Sequence, residues 1–251
     1  MELLSTPSSI SHFSRNSFAY TFGALVVAIG AGMFGYLHTY GFAYGTDYYS
    51  SEFSAYWLPV LYTELIVLGL GCVGSSMYFF LSRPSVNELV WLTASEELSR
   101  YWRLLGVFTV MGIWAGFAGS LAVESDAAWH QVTIRDTDFT PTHIVIFYFA
   151  LPALTAMLIP AFIWTHTRIP AFAGRISIPF LAVVCGIVMI MPNYGFNEWG
   201  HTFFYAEELF AAPIHYGFVF LGWSLFFLVP LAMQIMGQMT RLIAQSVDEI
   251  E

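Results

Sequence analysis

Long stretches of this chain carry no charge: Asp, Glu, Lys and Arg are absent between Arg15 and Asp47, Glu64 and Arg83, Arg103 and Glu124, Arg175 and Glu198, and Glu208 and Arg241. A sixth apolar block, Ile144 to Trp164, is bounded by His143 on one side and by His166 and Arg168 on the other. Crossing the hydrocarbon core of a bilayer takes roughly 20 apolar residues in helical form, and each block is long enough. With 57% of its 251 residues hydrophobic and only 10% charged, the chain lies outside the range of soluble domains. The sequence predicts an all-α integral membrane protein, a bundle of about six transmembrane helices. The spans are expected near 17–37, 56–81, 101–123, 143–164, 176–193 and 213–238.

Arginine sets the expected orientation. The chain has eight Arg and no Lys. With six spans both termini share a side, and Arg15, Arg83, Arg100, Arg103, Arg168, Arg175 and Arg241 all fall on it. Positive residues favour the cytoplasmic face, so the termini are expected in the cytoplasm and only Arg135 outside. The opposite loops hold Asp47, Glu52, Glu124, Asp126, Asp136, Asp138, Glu198, Glu207 and Glu208, which accounts for most of the net charge of −9. An acidic chain of this kind excludes nucleic acid as a partner and leaves membrane lipids as its surroundings.

One transmembrane domain over 1–251 is the economical organisation, with a polar segment 1–16 and an acidic tail 241–251. Met1 to Asn16 lacks the pattern of a signal peptide, so the first span is expected to stay attached. Ser85 to Arg103 carries Glu88, Glu96, Glu97 and Arg100 at helical spacing and reads as an interfacial helix. Tyr36, Tyr40, Phe42, Tyr44, Tyr48, Tyr49, Tyr56 and Trp57 gather at the first outer loop, as a membrane-interface belt would. Cys72 and Cys185 sit in different spans and read as packing residues.

Four of the seven histidines form a pattern that occurs twice. Asp126, His130 and His143 make the first copy; Asn197, His201 and His215 make the second. In each, an oxygen donor is followed by His at i+4 and by another His 13 or 14 residues later. The last His follows a proline by two residues, as Pro141-Thr142-His143 and Pro213-Ile214-His215. Residues i and i+4 share a helix face, and proline is favoured in a helix's first turn, so each triad can converge where one span ends and the next begins. Two imidazoles with one oxygen donor suit copper, zinc or iron and leave a coordination position open. A single His at a membrane face is most often structural; two triads with the same layout, in a setting where buried polar groups are costly, weigh toward metal binding.

The remaining polar residues are weaker candidates. Glu64, within the second span, could pair with a loop Arg, serve a proton path or lie near the interface, and a structural role ranks first. His12, His38 and His166 stand alone at span boundaries. Haem held by the paired histidines is disfavoured, because Arg135, Asp136, Asp138 and Pro141 interrupt any lipid-embedded helix between them. A metal-ion transporter or channel component is the alternative function. It would need donors at successive depths, whereas these cluster at one face.

The stretches Trp129-His130-Gln131-Val132-Thr133-Ile134-Arg135-Asp136-Thr137-Asp138-Phe139-Thr140-Pro141 and Asn197-Glu198-Trp199-Gly200-His201-Thr202-Phe203 resemble the C subunit of the particulate methane and ammonia monooxygenases. Glu207-Glu208-Leu209-Phe210 and Ala212-Pro213-Ile214-His215 extend the likeness, which runs from about Asp126 to Trp223. The resemblance implies one of three subunits of a copper-dependent bacterial inner-membrane monooxygenase, a trimer of heterotrimers with A and B subunits. That enzyme inserts one atom of dioxygen into a small substrate, with electrons from a quinol or similar donor. By motif, the resemblance carries metal ligation to Asp126, His130 and His143, and to Asn197, His201 and His215. Copper is the expected metal, with zinc as a substitute in one site.

The Asn197, His201 and His215 set is the expected catalytic one. A neutral oxygen donor leaves the metal more electrophilic, and the surround is rich in Phe and Trp. Tyr194, Phe196 and Tyr205-Ala206 depart from the family's pattern and lean the substrate toward a short-chain hydrocarbon, with methane and ammonia close behind. Side chains of this kind shift selectivity by only about 1–3 kcal/mol.

Overall fold

The computed structural model describes residues 10–118, 125–126, 129, 139–186 and 224–248. Among them the chain is helical, with no sheet strand. The elements are α1 (Ile10–Tyr44), α2 (Ser51–Tyr56), α3 (Leu58–Leu81), α4 (Val86–Val90) and α5 (Ala94–Phe117). They are followed by α6 (Pro141–Arg168), α7 (Pro170–Ala173), α8 (residues 178–186) and α9, made of Ser224–Leu228 and Val229–Asp248. Among the described residues four stretches are long and apolar enough to cross a membrane: Ala19–Tyr44, Ser51–Leu81, Pro141–Arg168 and Phe226–Ser246. The apolar half of α5 coincides with the predicted third span, and α8 opens the predicted fifth. Residues 119–124 and 187–223, where the third and fifth spans are expected to end and the sixth to begin, lie outside the described residues.

The spans differ in how much of each the chain itself covers. In α6 61% of the apolar window is buried, against 6% in Ser51–Leu81 and 11% in α1. The bundle is therefore organised around α6, and the outer faces of α1 and α3 are left to lipid or to neighbouring subunits. On one side α3 packs along α6, while α5 packs against α6, α1 and α9. The core between them joins Tyr101, Leu104, Met111 and Trp114 of α5 to Ile146, Phe149, Leu154 and Leu158 of α6. Leu231, Ile235, Met239 and Leu242 of α9, spaced as one helical stripe, close it.

Helices α3 and α6 run in the same direction. At one end Trp57 and Leu61 cluster with Ile144 and Val145. At the other the Arg168 guanidinium donates to Phe79 O at 2.8 Å and to Ser82 O and Oγ at 3.0 and 2.8 Å, with its face over the Phe79 ring. Arg168 thus satisfies carbonyls that the end of α3 leaves without helical partners. Arg100 donates in turn to the Arg168 carbonyl.

Two local expectations change. The interfacial helix read over 85–103 is divided into α4 and α5, because two capping boxes follow one another: Ser85 with Glu88, and Thr93 with Glu96. Each box satisfies donors at a fresh helix start, so α5 begins at Ala94 and continues straight into the membrane segment. The stretch 38–55 is not an open loop either. Helix α1 continues to Tyr44, α2 follows, and the tyrosines knit the two together: Tyr44 stacks on Tyr56 at 4.3 Å and Tyr36 Oη donates to Tyr56 O at 2.8 Å. Much of the aromatic belt is thus a packed helix junction.

Candidate metal centre

The two described members of the first triad sit at the Trp57 end of the α3–α6 pair. Thr140 caps α6, its Oγ1 accepting from the His143 N–H at 3.4 Å, and Pro141 takes the first turn. This fixes His143 at the mouth of the span, as the Pro-x-His spacing predicts. Asp126 arrives from a separate helical segment, in which Ser125, Asp126 and Trp129 are helical. Trp129 is buried, packs at a tilt on Phe42 with ring centroids 4.9 Å apart and lies against Gly41 of α1, which holds that segment on the bundle.

Asp126 and His143 converge. Asp126 Oδ1 lies 3.3 Å from His143 Nε2, and both side chains are almost fully buried. The Thr142 hydroxyl donates to the same carboxylate oxygen at 2.6 Å, and Thr140 Oγ1 stands 3.3 Å from Thr142 Oγ1. The His143 ring packs on Phe147, with centroids 4.8 Å apart. A carboxylate and an imidazole are thus brought together in an apolar surround, oriented by a hydroxyl that is not itself a donor to the shared point.

Two donors bound to one ion at roughly 2.0–2.1 Å with tetrahedral angles stand roughly 3.3–3.4 Å apart. The Asp126–His143 separation fits that geometry, and its oxygen-plus-imidazole chemistry fits a first-row transition metal. His130, the third member, lies outside the described residues, as do Asn197, His201 and His215. Among the described residues no group of three metal-ligating side chains occurs.

Immediately after His143, residues Ile144–Ala150 form a π-helical turn before α-helix resumes at Leu151. Such segments are rare and collect at functional sites. Here the wider turn is pinned by Trp114, whose indole N–H donates to Ala150 O at 2.9 Å. Hydropathy and spacing do not anticipate it. Pro152, which has no N–H for a carbonyl in the preceding turn, is the one local signal that could have suggested it.

Of the lone histidines, His38 and His166 separate from the site, and the His12 side chain lies outside the described residues. His38 is exposed on α1. His166 is structural: its Nδ1 lies 2.8 Å from Phe162 O, and its Nε2 accepts from the Ser177 N–H at 3.0 Å, tying the turn after α7 back to α6. Among the described residues Glu64 pairs with no arginine. It is buried, and neither carboxylate oxygen has a hydrogen-bond partner among the described residues.

The fold and this corner define a multi-span helical membrane protein that buries a carboxylate–imidazole pair where two membrane helices meet. Residues 6–246, nearly the whole chain, match the family model of the C subunit of ammonia monooxygenase/methane monooxygenase, and the chain belongs to that family. It is accordingly part of a membrane monooxygenase, an oxidoreductase that works in association with other subunits. No curated protein matches it.

Proposed function

We propose that this chain is the metal-binding transmembrane subunit of a copper-dependent monooxygenase that hydroxylates a small substrate with dioxygen. Asp126, His130 and His143 hold one ion, and Asn197, His201 and His215 hold a second, which serves catalysis. The observation that carries the reading is the convergence of Asp126 and His143, 17 residues apart in sequence and 3.3 Å apart in space, in a buried apolar corner. Such a pair is expensive to bury without a purpose.

Copper would supply the binding and activation of dioxygen. The chain's own residues orient the donors, exclude water and present an apolar surround: Thr142 fixes the Asp126 carboxylate, Thr140 and Pro141 fix the start of α6, and Phe147 covers the imidazole. Substrates of the class are a short-chain hydrocarbon, methane or ammonia, with electrons from a quinol-type donor. The metal corners face the periplasmic side of a bacterial inner membrane, with the termini in the cytoplasm.

Metal content and electron paramagnetic resonance of the purified complex test the assignment. His143→Ala and Asp126→Asn are expected to lose one ion, and His201→Ala the other. Full metal retention in all three refutes it. Asn197→Ala with full turnover and full copper content would remove the catalytic role from the second site. Turnover of methane, ethane, propane, butane and ammonia by membranes identifies the substrate.

A further inference from the structure

Glu64 is the most unusual polar residue of the described spans. It lies on the buried stripe of α3, where Trp57, Leu61 and Glu64 follow at i, i+4 and i+7, on the helix that packs along α6. It is 6% exposed, and both carboxylate oxygens lack a hydrogen-bond partner among the described residues. An ionised carboxylate is costly in that setting, so the resting group carries its proton.

The same stripe holds a second unsatisfied group. The Trp57 indole N–H is fully buried, again without a hydrogen-bond partner among the described residues. Trp57 Nε1 and Pro141, the residue that begins the His143 turn, both border Gly45, which places the indole beside the metal corner. Glu64 follows Trp57 by seven residues, roughly 10 Å along the helix axis. Away from the corner, α3 continues through Cys72, Ser75 and Ser76. There α6 buries the Thr165 hydroxyl, which likewise has no hydrogen-bond partner among the described residues, one turn from Arg168. Buried polar groups without protein partners are ordinarily served by ordered water.

We infer that Glu64 is a proton relay to the metal corner, passing protons through water held between its carboxyl and the Trp57 indole. The inference rests on the monooxygenase reading. Inserting one oxygen atom of dioxygen into a C–H or N–H bond and releasing the other as water consumes two electrons and two protons. The quinol-type donor supplies the electrons. Glu64 releases a proton toward the corner, from which the catalytic Asn197, His201 and His215 set draws it, and takes one up from the α3–α6 seam on its far side, so it ends each cycle unchanged. It touches neither substrate nor metal.

Glu64→Gln keeps size and hydrogen-bonding capacity but cannot release a proton. In the assembled complex it is expected to keep its copper, lose turnover by about 100-fold and show a larger solvent deuterium isotope effect. Glu64→Asp should recover part of the rate, whereas a purely structural role would be met at least as well by Gln. Full turnover in a copper-replete Glu64→Gln complex overturns the relay. If that variant fails to assemble, reduced-minus-oxidised infrared spectra of the wild-type complex decide. An exchangeable carboxylic-acid band that moves in Glu64→Asp supports the relay, and the absence of any such band overturns it. A wild-type complex without copper would instead remove the functional reading beneath it.

Discussion

The Thr142 hydroxyl and the Asp126 carboxylate are joined by a 2.6 Å hydrogen bond that spans 16 residues of sequence and links the two helices of the metal corner. The accepting oxygen is the one that lies 3.3 Å from His143 Nε2, so Thr142 sets the direction in which Asp126 presents its donor.

Removing that hydroxyl should loosen the site without emptying it. Thr142→Val preserves shape, and loss of an orienting partner of this kind typically lowers metal affinity about 10–100-fold. Metal titration of the purified complex should show this for the first site alone, and Thr142→Ser should restore most of it.

Gly45 makes the turn between α1 and α2 possible where the chain is tightest. A Cβ there would meet the Pro141 ring, would lie 2.6 Å from Gly41 O and 3.1 Å from Trp57 Nε1. Gly41 O is backbone and cannot yield cheaply, so Gly45→Ala should cost about 1–3 kcal/mol by overpacking. Because Pro141 begins the turn that holds His143, thermal unfolding and metal occupancy should fall together in this variant.

Arg168 serves the opposite end of the same helix pair. Its planar fork reaches Phe79 O, Ser82 O and Ser82 Oγ together, which a lysine ammonium cannot reproduce. Arg168→Lys is expected to destabilise the α3–α6 packing by about 1–3 kcal/mol, read from thermal unfolding, and Arg168→Ala by more. Copper content should hold in the fraction that stays assembled, because the metal corner lies at the far end of both helices.

Acid should weaken the start of α5. Hydrogen bonds from the Thr93 backbone N–H and hydroxyl hold the Glu96 carboxyl below the usual carboxylate range, with Arg100 adding to the effect. A group with a depressed folded value contributes above its unfolded value and stops contributing as pH falls through the folded one. The difference in unfolding temperature between wild type and Glu96→Ala should therefore be present at neutral pH and vanish under acid conditions below the ordinary carboxylate range.

The spans were legible in the sequence because hydropathy is a local property: a charge-free block of about 20 residues has few alternatives to a membrane helix. The position of His143 at a span mouth was legible for the same reason, through Pro141. Smaller local signals were present but passed over. The Ser85–Glu88 and Thr93–Glu96 boxes state where α4 and α5 begin, and the Glu spacing across them suggested one continuous interfacial helix instead.

By itself, then, the sequence determined how many apolar helices to expect, which residues carry donor atoms, and that Asp126 and His143 stand near the ends of neighbouring segments. Tertiary structure alone decided that Asp126 Oδ1 and His143 Nε2 meet, that Thr142 orients the carboxylate, that Arg168 caps α3, and that Glu64 is buried with no ionic partner among the described residues. The reason is physical. Helical periodicity fixes neighbours three and four residues apart, whereas the approach of residues 16, 17 or 89 positions apart depends on how α3, α5 and the Asp126 segment pack around α6.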